Sequence, residues 1–377
     1  MNPIERTLCA ITEKDDLEDL YSFPEFPVFM GCVSQPETAD LTQNMNWWIS
    51  RGSGLIQLKQ LLPLDVLYPE SHGSGAVGAL WEQHHKAFAQ FLRRLSPASI
   101  LEVGGAHGIL AKEYHRFSKI PWTILEPNPA PVDGCDARFI KGFFDDKFAP
   151  IDAFDTLVHS HVFEHFYEPI KFMRHLSGLM NAGQHLVFSL PNMQVMLERK
   201  YTNCVNFEHT ILLTEPHVEF LLAKHGFRLV SKEYFLDDHS IFYAATRDPC
   251  AGQIALPSGL YEKNRALYID YVHYHQELVS NLNCRLSATD QPVYLFGAHV
   301  QAQYLMGFGL DMRRICAILD NDRKKHGKRL FGTNKQVYSP SVLDGIEEPI
   351  VIIRAGTFTD EIVSQIRAIN STTHFLL

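Results

Sequence analysis

No two cysteines stand in a C-x-x-C arrangement: the seven lie at positions 9, 32, 135, 204, 250, 284 and 316. An odd, scattered set excludes a disulfide framework and leaves no intact zinc motif. No run of about 18 uninterrupted apolar residues exists, as a membrane-spanning helix requires. The opening sixteen residues are too charged for a signal peptide, so the expected location is the cytoplasm, with no membrane partner. No block of Lys and Arg is present. With 34 basic against 43 acidic residues and a net charge of −9, the chain lacks the positive stripe that nucleic acid binding needs. No fixed-period repeat or low-complexity tract occurs either. What is present is a 377-residue chain, 46% hydrophobic and 20% charged, able to bury the cores of two or three packed domains. It also carries nineteen histidines, several close together.

Residues 1–72 mix polarity and turn formers and predict a small irregular domain with short strands. From Ala79 the spacing of Trp81, His85, Phe88, Leu92 and Leu95 predicts an amphipathic helix closed by Ser96-Pro97. Short apolar runs then recur at Ser99 to Val103, Trp122 to Leu125, Thr156 to His159 and His185 to Leu190, with helix-like segments between several of them. Alternation of that kind implies a parallel sheet with crossover helices. Thr214 caps a further helix, with Pro216 in its first turn and Gly226 as its stop. Phe227 to Phe235 and Ser240 to Thr246 follow as an antiparallel edge, so this central domain spans residues 73–250. Pro257-Ser258-Gly259 reads as a linker to a long helix, and the runs VYLFGAH, ICAILD and PIVIIRAG predict a second, smaller α/β domain within 251–377.

The sharpest signal is Glu102-Val103-Gly104-Gly105-Ala106-His107-Gly108, where a strand should end and a helix begin. Glycines there allow a tight turn and let a ligand approach the backbone. Glu126 closes the next strand 24 residues after Glu102, where a carboxylate can accept both hydroxyls of a ribose. Ala106 breaks the G-x-G-x-x-G pattern, which weakens a NAD-dependent oxidoreductase reading. Glycines that serve strand-turn-helix packing alone remain the plain alternative.

These residues resemble the class I S-adenosylmethionine-dependent methyltransferases, a Rossmann-like α/β fold, over roughly residues 75–247. The resemblance implies that Glu102, Gly104, Gly105, Gly108 and Glu126 hold the methyl donor. It makes Phe143 and Phe144, after the third strand, the wall beside adenine, and places His161 at the cofactor. His161-Val162-Phe163-Glu164-His165 is similar to the family's "LEH" segment. The same residues fit the zinc-peptidase pattern H-x-x-E-H, but the methyltransferase resemblance explains them without a metal, and no metal is expected.

Asn206-Phe207-Glu208-His209-Thr210 places a carboxylate beside an imidazole ahead of a capped helix. An imidazole titrates near neutral pH and can take a proton, whereas a surface pair at a helix entrance is the structural alternative. The pair and His165 resemble the E-H pair and post-strand histidine of bacterial sugar C-methyltransferases, which act on a nucleotide-linked keto-sugar. The resemblance implies His209 as the base that removes a ring C–H proton, with Glu208 and His165 orienting the sugar or stabilising an enolate oxygen. Tyr68 and His72, within YPESHGSG, stand where that family has a loop over the sugar, and Asn206 stands where it often has tyrosine.

Both flanks extend the resemblance. Ser50-Arg51-Gly52-Ser53-Gly54-Leu55 is similar to the family's zinc-module segment C-x-x-C-G-L, with serines in place of cysteines. Cys9-Ala10-Ile11-Thr12 keeps one sulfur of a second pair. Neutral hydroxyls are poor zinc ligands beside thiolates, so a retained fold without its metal is expected. Gly297-Ala298-His299, Asp320 and Lys325 resemble family segments that help hold the nucleotide-sugar; packing or a dimer surface is the alternative for them. The expected function is thus S-adenosylmethionine-dependent methylation of a small-molecule nucleotide-sugar. Methylation of oxygen or nitrogen on another small molecule, or a scaffold that lost catalysis, are the alternatives.

Overall fold

The computed structural model describes residues 3–67 and 78–377. The chain forms two compact units that interleave in sequence. The first comprises residues 1–20, 47–199 and 207–266, and the second residues 21–46, 200–206 and 267–377.

The first unit is built on seven strands: β1 (Ile100–Val103), β2 (Trp122–Glu126), β3 (Arg138–Lys141), β4 (Thr156–Ser160), β5 (His185–Pro191), β6 (Phe227–Phe235) and β7 (Ser240–Arg247). Their order is β6-β7-β5-β4-β1-β2-β3. The five strands β5 to β3 in that order run parallel, and β7 pairs antiparallel with both β5 and β6. Two parallel strands need a crossover, whereas β6 and β7 are joined by a short hairpin; the sequence allows each where it occurs.

Side-chain alternation divides the core between the two faces of this sheet. Leu101, Val103, Leu157, Leu186, Phe188 and Tyr243 pack on one face with Ile170, Phe172, Met173 and Leu176 of α3 (Pro169–Leu179) and with Val218, Leu221 and Leu222 of α4 (Glu215–Lys224). Ile100, Ile124, Val158, Val187, Phe242 and Ala244 pack on the other. There they meet Phe88, Phe91 and Leu92 of α1 (Ala79–Arg93) and Leu110, Ala111 and Tyr114 of α2 (Ile109–Tyr114). In α1 the histidine turned fully inward is His84, not His85.

At the start of α4 the Thr214 N–H donates to His217 Nδ1 at 3.2 Å, and Pro216 occupies the first turn. That contact fixes the His217 tautomer, so its Nε2–H donates to the Ser53 carbonyl at 2.9 Å. The Cys9 thiol lies 3.2 Å from the Ser53 hydroxyl. Ser53 N–H bonds the Ser50 hydroxyl, and Leu55 N–H bonds the Ser53 hydroxyl, each at 3.1 Å. Of the positions that resemble a zinc module, Cys9, Ser50 and Ser53 therefore meet as a buried hydrogen-bonded cluster.

The second unit carries five parallel strands: β8 (Val293–Phe296), β9 (Ile315–Leu319), β10 (Val337–Tyr338), β11 (Ile350–Ile353) and β12 (His374–Leu376), in the order β10-β9-β8-β11-β12. Val293 and Leu295 face one apolar cluster and Tyr294 and Phe296 the other, the same two-faced arrangement. Among the described residues, no helix is long and apolar enough to cross a membrane.

Candidate functional site

The turn after β1 takes three left-handed backbone positions: Gly104 at φ +74, Ala106 at +36 and Gly108 at +68, the last opening α2. Packing alone accounts for each glycine of this turn. A Cβ would lie 2.7 Å from Val162 at Gly104, 2.7 Å from the Glu102 carboxyl carbon at Gly105, and 2.4 Å from the Cys135 sulfur at Gly108. The glycines shape the turn; what a ligand would use is its neighbourhood. Glu126, at the end of β2, reaches across to this turn: one carboxylate oxygen accepts the Ala106 N–H at 3.1 Å and the other the Asn128 N–H at 2.9 Å.

Glu102 sits beneath the turn, 3% exposed. Its carboxyl accepts the Trp122 indole N–H at 2.8 Å, and burial pushes its pKa up to about 7. It supports the turn from the interior side. Beyond β3, Phe144 packs into the core against Phe148, Phe172 and His175, whereas the Phe143 ring is 55% exposed. These residues fit an adenosyl donor: each oxygen of Glu126 carries one backbone N–H and keeps acceptor capacity for a diol, and Phe143 offers an open aromatic surface.

At the end of β4 the backbone of His161 is left-handed, φ +52. Its Nε2 lies 2.8 Å from the Ser240 hydroxyl and its Nδ1 3.4 Å from Glu164. Two segments are then locked together: Thr210 N–H donates to the Glu164 carbonyl at 2.9 Å, and the Thr210 hydroxyl to the Phe166 carbonyl at 2.7 Å. The buried guanidinium of Arg6 adds a clamp, donating to the carbonyls of Thr210 at 2.9 Å and Tyr167 at 2.8 Å. This packing sets the His165 and His209 rings edge to face, 5.1 Å apart. Burial lowers the His165 pKa to about 4, against the pull of Glu164, so its ring is neutral at pH 7. Glu208 contributes a backbone hydrogen bond to that ring.

Among the described residues, two clusters of metal-capable side chains lie in this unit: Glu164 with His165 and His209, and His84 with His161 and His239. In the second, burial first and neighbouring imidazoles second hold His84 and His161 well below the usual imidazole range, and burial lowers His239. Sequence spacing singles out neither His84 nor His239, and Arg6 escapes it too, because each acts through residues distant in the chain.

Asn206 belongs to the second unit, where its side chain donates to the Asn203 carbonyl at 3.0 Å. There the turn after β8 has Gly297 at φ +101 and His299 as the N-cap of a helix over Val300–Gly307. Asp320, at the end of β9, accepts the Ala298 N–H and the Lys325 ammonium, both at 2.9 Å, and the Asp322 N–H at 2.8 Å. Burial works to raise its pKa, but those donors outweigh it and hold the carboxyl below the usual range. Tyr68 and His72 lie outside the described residues.

The sheet order, the glycine turn and the acid one strand over define the Rossmann-like fold of the class I methyltransferases. Comparison with protein families agrees: residues 80–232 match a family described as "Methyltransferase domain". Residues 264–376 match "C-methyltransferase C-terminal domain". The chain is an S-adenosylmethionine-dependent methyltransferase. No curated protein matches it.

Among solved structures it is similar to an O-methyltransferase family protein from Burkholderia thailandensis, at 13% identity and TM-score 0.37, over 45% of this chain and 57% of that one. A magnesium protoporphyrin IX methyltransferase from Synechocystis PCC 6803, with bound S-adenosylhomocysteine, aligns at 14% identity and TM-score 0.37, over 46% and 89%. The N-methyltransferase NodS from Bradyrhizobium japonicum WM9 aligns at 16% identity and TM-score 0.34, over 44% and 96%.

Proposed function

We propose that the chain methylates a carbon of a nucleotide-activated keto-sugar, with His209 as the base that removes the proton beside the sugar carbonyl. The observation that carries this reading is the pairing of the His165 and His209 rings, 5.1 Å apart, at the end of β4, in a chain whose C-terminal part matches a C-methyltransferase domain.

S-adenosylmethionine, when bound, supplies a methyl group already made electrophilic by its sulfonium, so the protein's task is to aim and activate the nucleophile. Gly104, Gly105 and Gly108 shape the turn that would lie along the donor, Glu126 would accept its ribose hydroxyls, and Phe143 would flank the adenine. His209 takes the C–H proton onto a ring nitrogen, leaving an enolate whose carbon would be the nucleophile for the donor's methyl group, with the thioether as the leaving group. A neutral imidazole carries one N–H, and the His165 ring already gives it to the Glu208 backbone, so His165 would help orient the sugar beside His209. Glu208 orients the sugar. In the second unit Asn206, Gly297, His299, Asp320 and Lys325 are the proposed contacts to the nucleotide portion.

The test has two arms. His209→Ala should abolish turnover while calorimetry with S-adenosylhomocysteine shows donor binding nearly unchanged, and Glu126→Ala should weaken that binding. Turnover that survives His209→Ala removes the base assignment. Product from a ring-deuterated acceptor that keeps its deuterium transfers the reading to oxygen or nitrogen methylation.

A further inference from the structure

The sharing of imidazoles between α1, the end of β4 and the β6–β7 hairpin goes beyond what methyl transfer requires. His84 from α1, His161 after β4 and His239 in the hairpin each present a ring nitrogen, and these three atoms lie within 4.8 Å of one another. The rings meet beside Trp81, with His161 and His239 edge-on to it at 4.9 and 5.1 Å. We infer that His84, His161 and His239 form a binding site for one divalent cation of the zinc type.

Three features support the assignment. His84 is fully buried, its Nε2 lies 3.0 Å from the Ser189 hydroxyl, and among the described residues its Nδ1 has no hydrogen-bond partner. A histidine held at one ring nitrogen by an outer oxygen, with the other nitrogen open, is the arrangement of a metal ligand with its supporting contact. His161 has a carboxylate as its outer contact, Nδ1 facing Glu164 at 3.4 Å, while its Nε2 lies on the Ser240 hydroxyl at 2.8 Å, a contact that a cation would displace. Glu164 is 1% exposed, and neither of its oxygens has a hydrogen-bond partner among the described residues. Such a buried carboxylate is costly unless something nearby carries positive charge, and a dication one imidazole away supplies it through a carboxylate–histidine–metal relay.

The third feature is Ser240, whose one hydroxyl lies 2.8 Å from His161 Nε2 and 2.6 Å from His239 Nδ1. That hydroxyl can accept an N–H from one ring and donate to the other, so what it adds is convergence: a ring nitrogen of His161 and one of His239 already meet on a single oxygen. Around a tetrahedral cation with bonds of about 2.0–2.1 Å, ligand nitrogens sit about 3.4 Å apart. The three rings therefore need a modest closure, available to the partly exposed His239. Three imidazoles leave a fourth position open for water or a ligand oxygen, as in catalytic rather than structural zinc sites.

The test uses the full chain, stripped with chelator and titrated with Zn²⁺ and with Co²⁺, read by native mass spectrometry and visible absorption. One equivalent should bind per chain, with a cobalt spectrum lacking a thiolate charge-transfer band. His239→Gln, at the least buried of the three positions, should weaken binding roughly tenfold or more, while His209→Gln should leave it intact. No uptake overturns the inference, as does a thiolate band. Loss on His209→Gln with retention on His239→Gln overturns it as well, because the cation would then sit at the Glu164, His165 and His209 cluster. None of these readouts depends on turnover, so the inference stands or falls separately from the proposed sugar methylation.

Discussion

Replacing Glu102 by glutamine should make the protein more stable at neutral pH, and the effect should vanish in mild acid. The Glu102 carboxyl is buried under the glycine turn with the Trp122 indole N–H as its bonded partner, and burial raises its pKa from an ordinary 4.5 to about 7. A folded-state pKa above the unfolded one means that the native protein prefers the protonated acid. The associated stabilisation is complete below about pH 4.5 and is lost as the pH rises toward 7. A shift of that size corresponds to about 3 kcal/mol between the two limits. Glutamine keeps an oxygen for Trp122 and cannot ionise, so Glu102→Gln should remove this slope. Urea unfolding of both proteins between pH 4.5 and 8.5 measures it. The curves should nearly coincide at the acid end and diverge by about 3 kcal/mol at the alkaline end, a melting shift of about 2–4 °C per kcal/mol for a unit of this size. Parallel curves across the range would refute the reasoning, since they would show that the carboxyl ionises as readily folded as unfolded.

Gly108→Ala should destabilise the first unit by roughly 1–3 kcal/mol, because its backbone is left-handed and the new methyl would lie 2.4 Å from the Cys135 sulfur; pairing it with Cys135→Ala should recover part of the loss in thermal unfolding. In the second unit Arg329 holds both oxygens of Asp40 at 2.6 Å with side-chain exposures of 9% and 5%. Arg329→Met should therefore cost roughly 3–5 kcal/mol in denaturant unfolding by leaving a buried carboxylate unpaired, and adding Asp40→Asn should return much of it.

How far the fold can be read from residues depends on how strongly each element is patterned. The central strands announce themselves because both of their faces are buried, which makes continuous apolar runs, and α4 because Thr214, Pro216 and Gly226 mark its ends. Elements with weak patterns are harder. β3 is the four residues RFIK, none of them buried, and β10 and β12 have two and three residues. Residues 1–72 read as irregular with short strands, yet they contain an eleven-residue strand, Leu17–Pro27, and a nine-residue one, Thr42–Ser50. Pro24 and Pro27 hide the first, and they are tolerated because that strand lies at the edge of its sheet. The interleaving of the two units was not legible, since it depends on which surfaces residues 21–46 and 200–206 cover.

The site divides in the same way. Acid-to-acid spacing across two adjacent strands survives in sequence because consecutive parallel strands deliver both residues to the same sheet end. His84, His161 and His239 share no such local frame. The acid after the second strand also has a meaning that sequence alone understates, because the device occurs in both units: Glu126 takes the Ala106 N–H and Asp320 takes the Ala298 N–H. In each, the carboxylate holds the turn in shape before any ligand arrives, so the spacing reports a preorganised turn and not yet a nucleoside. The discrimination comes from what each acid has left. Asp320 already accepts two backbone N–H groups and the Lys325 ammonium. Among the described residues Glu126 accepts one backbone N–H on each oxygen and no cation, so of the two it retains the charge and the lone pairs that a ribose diol requires.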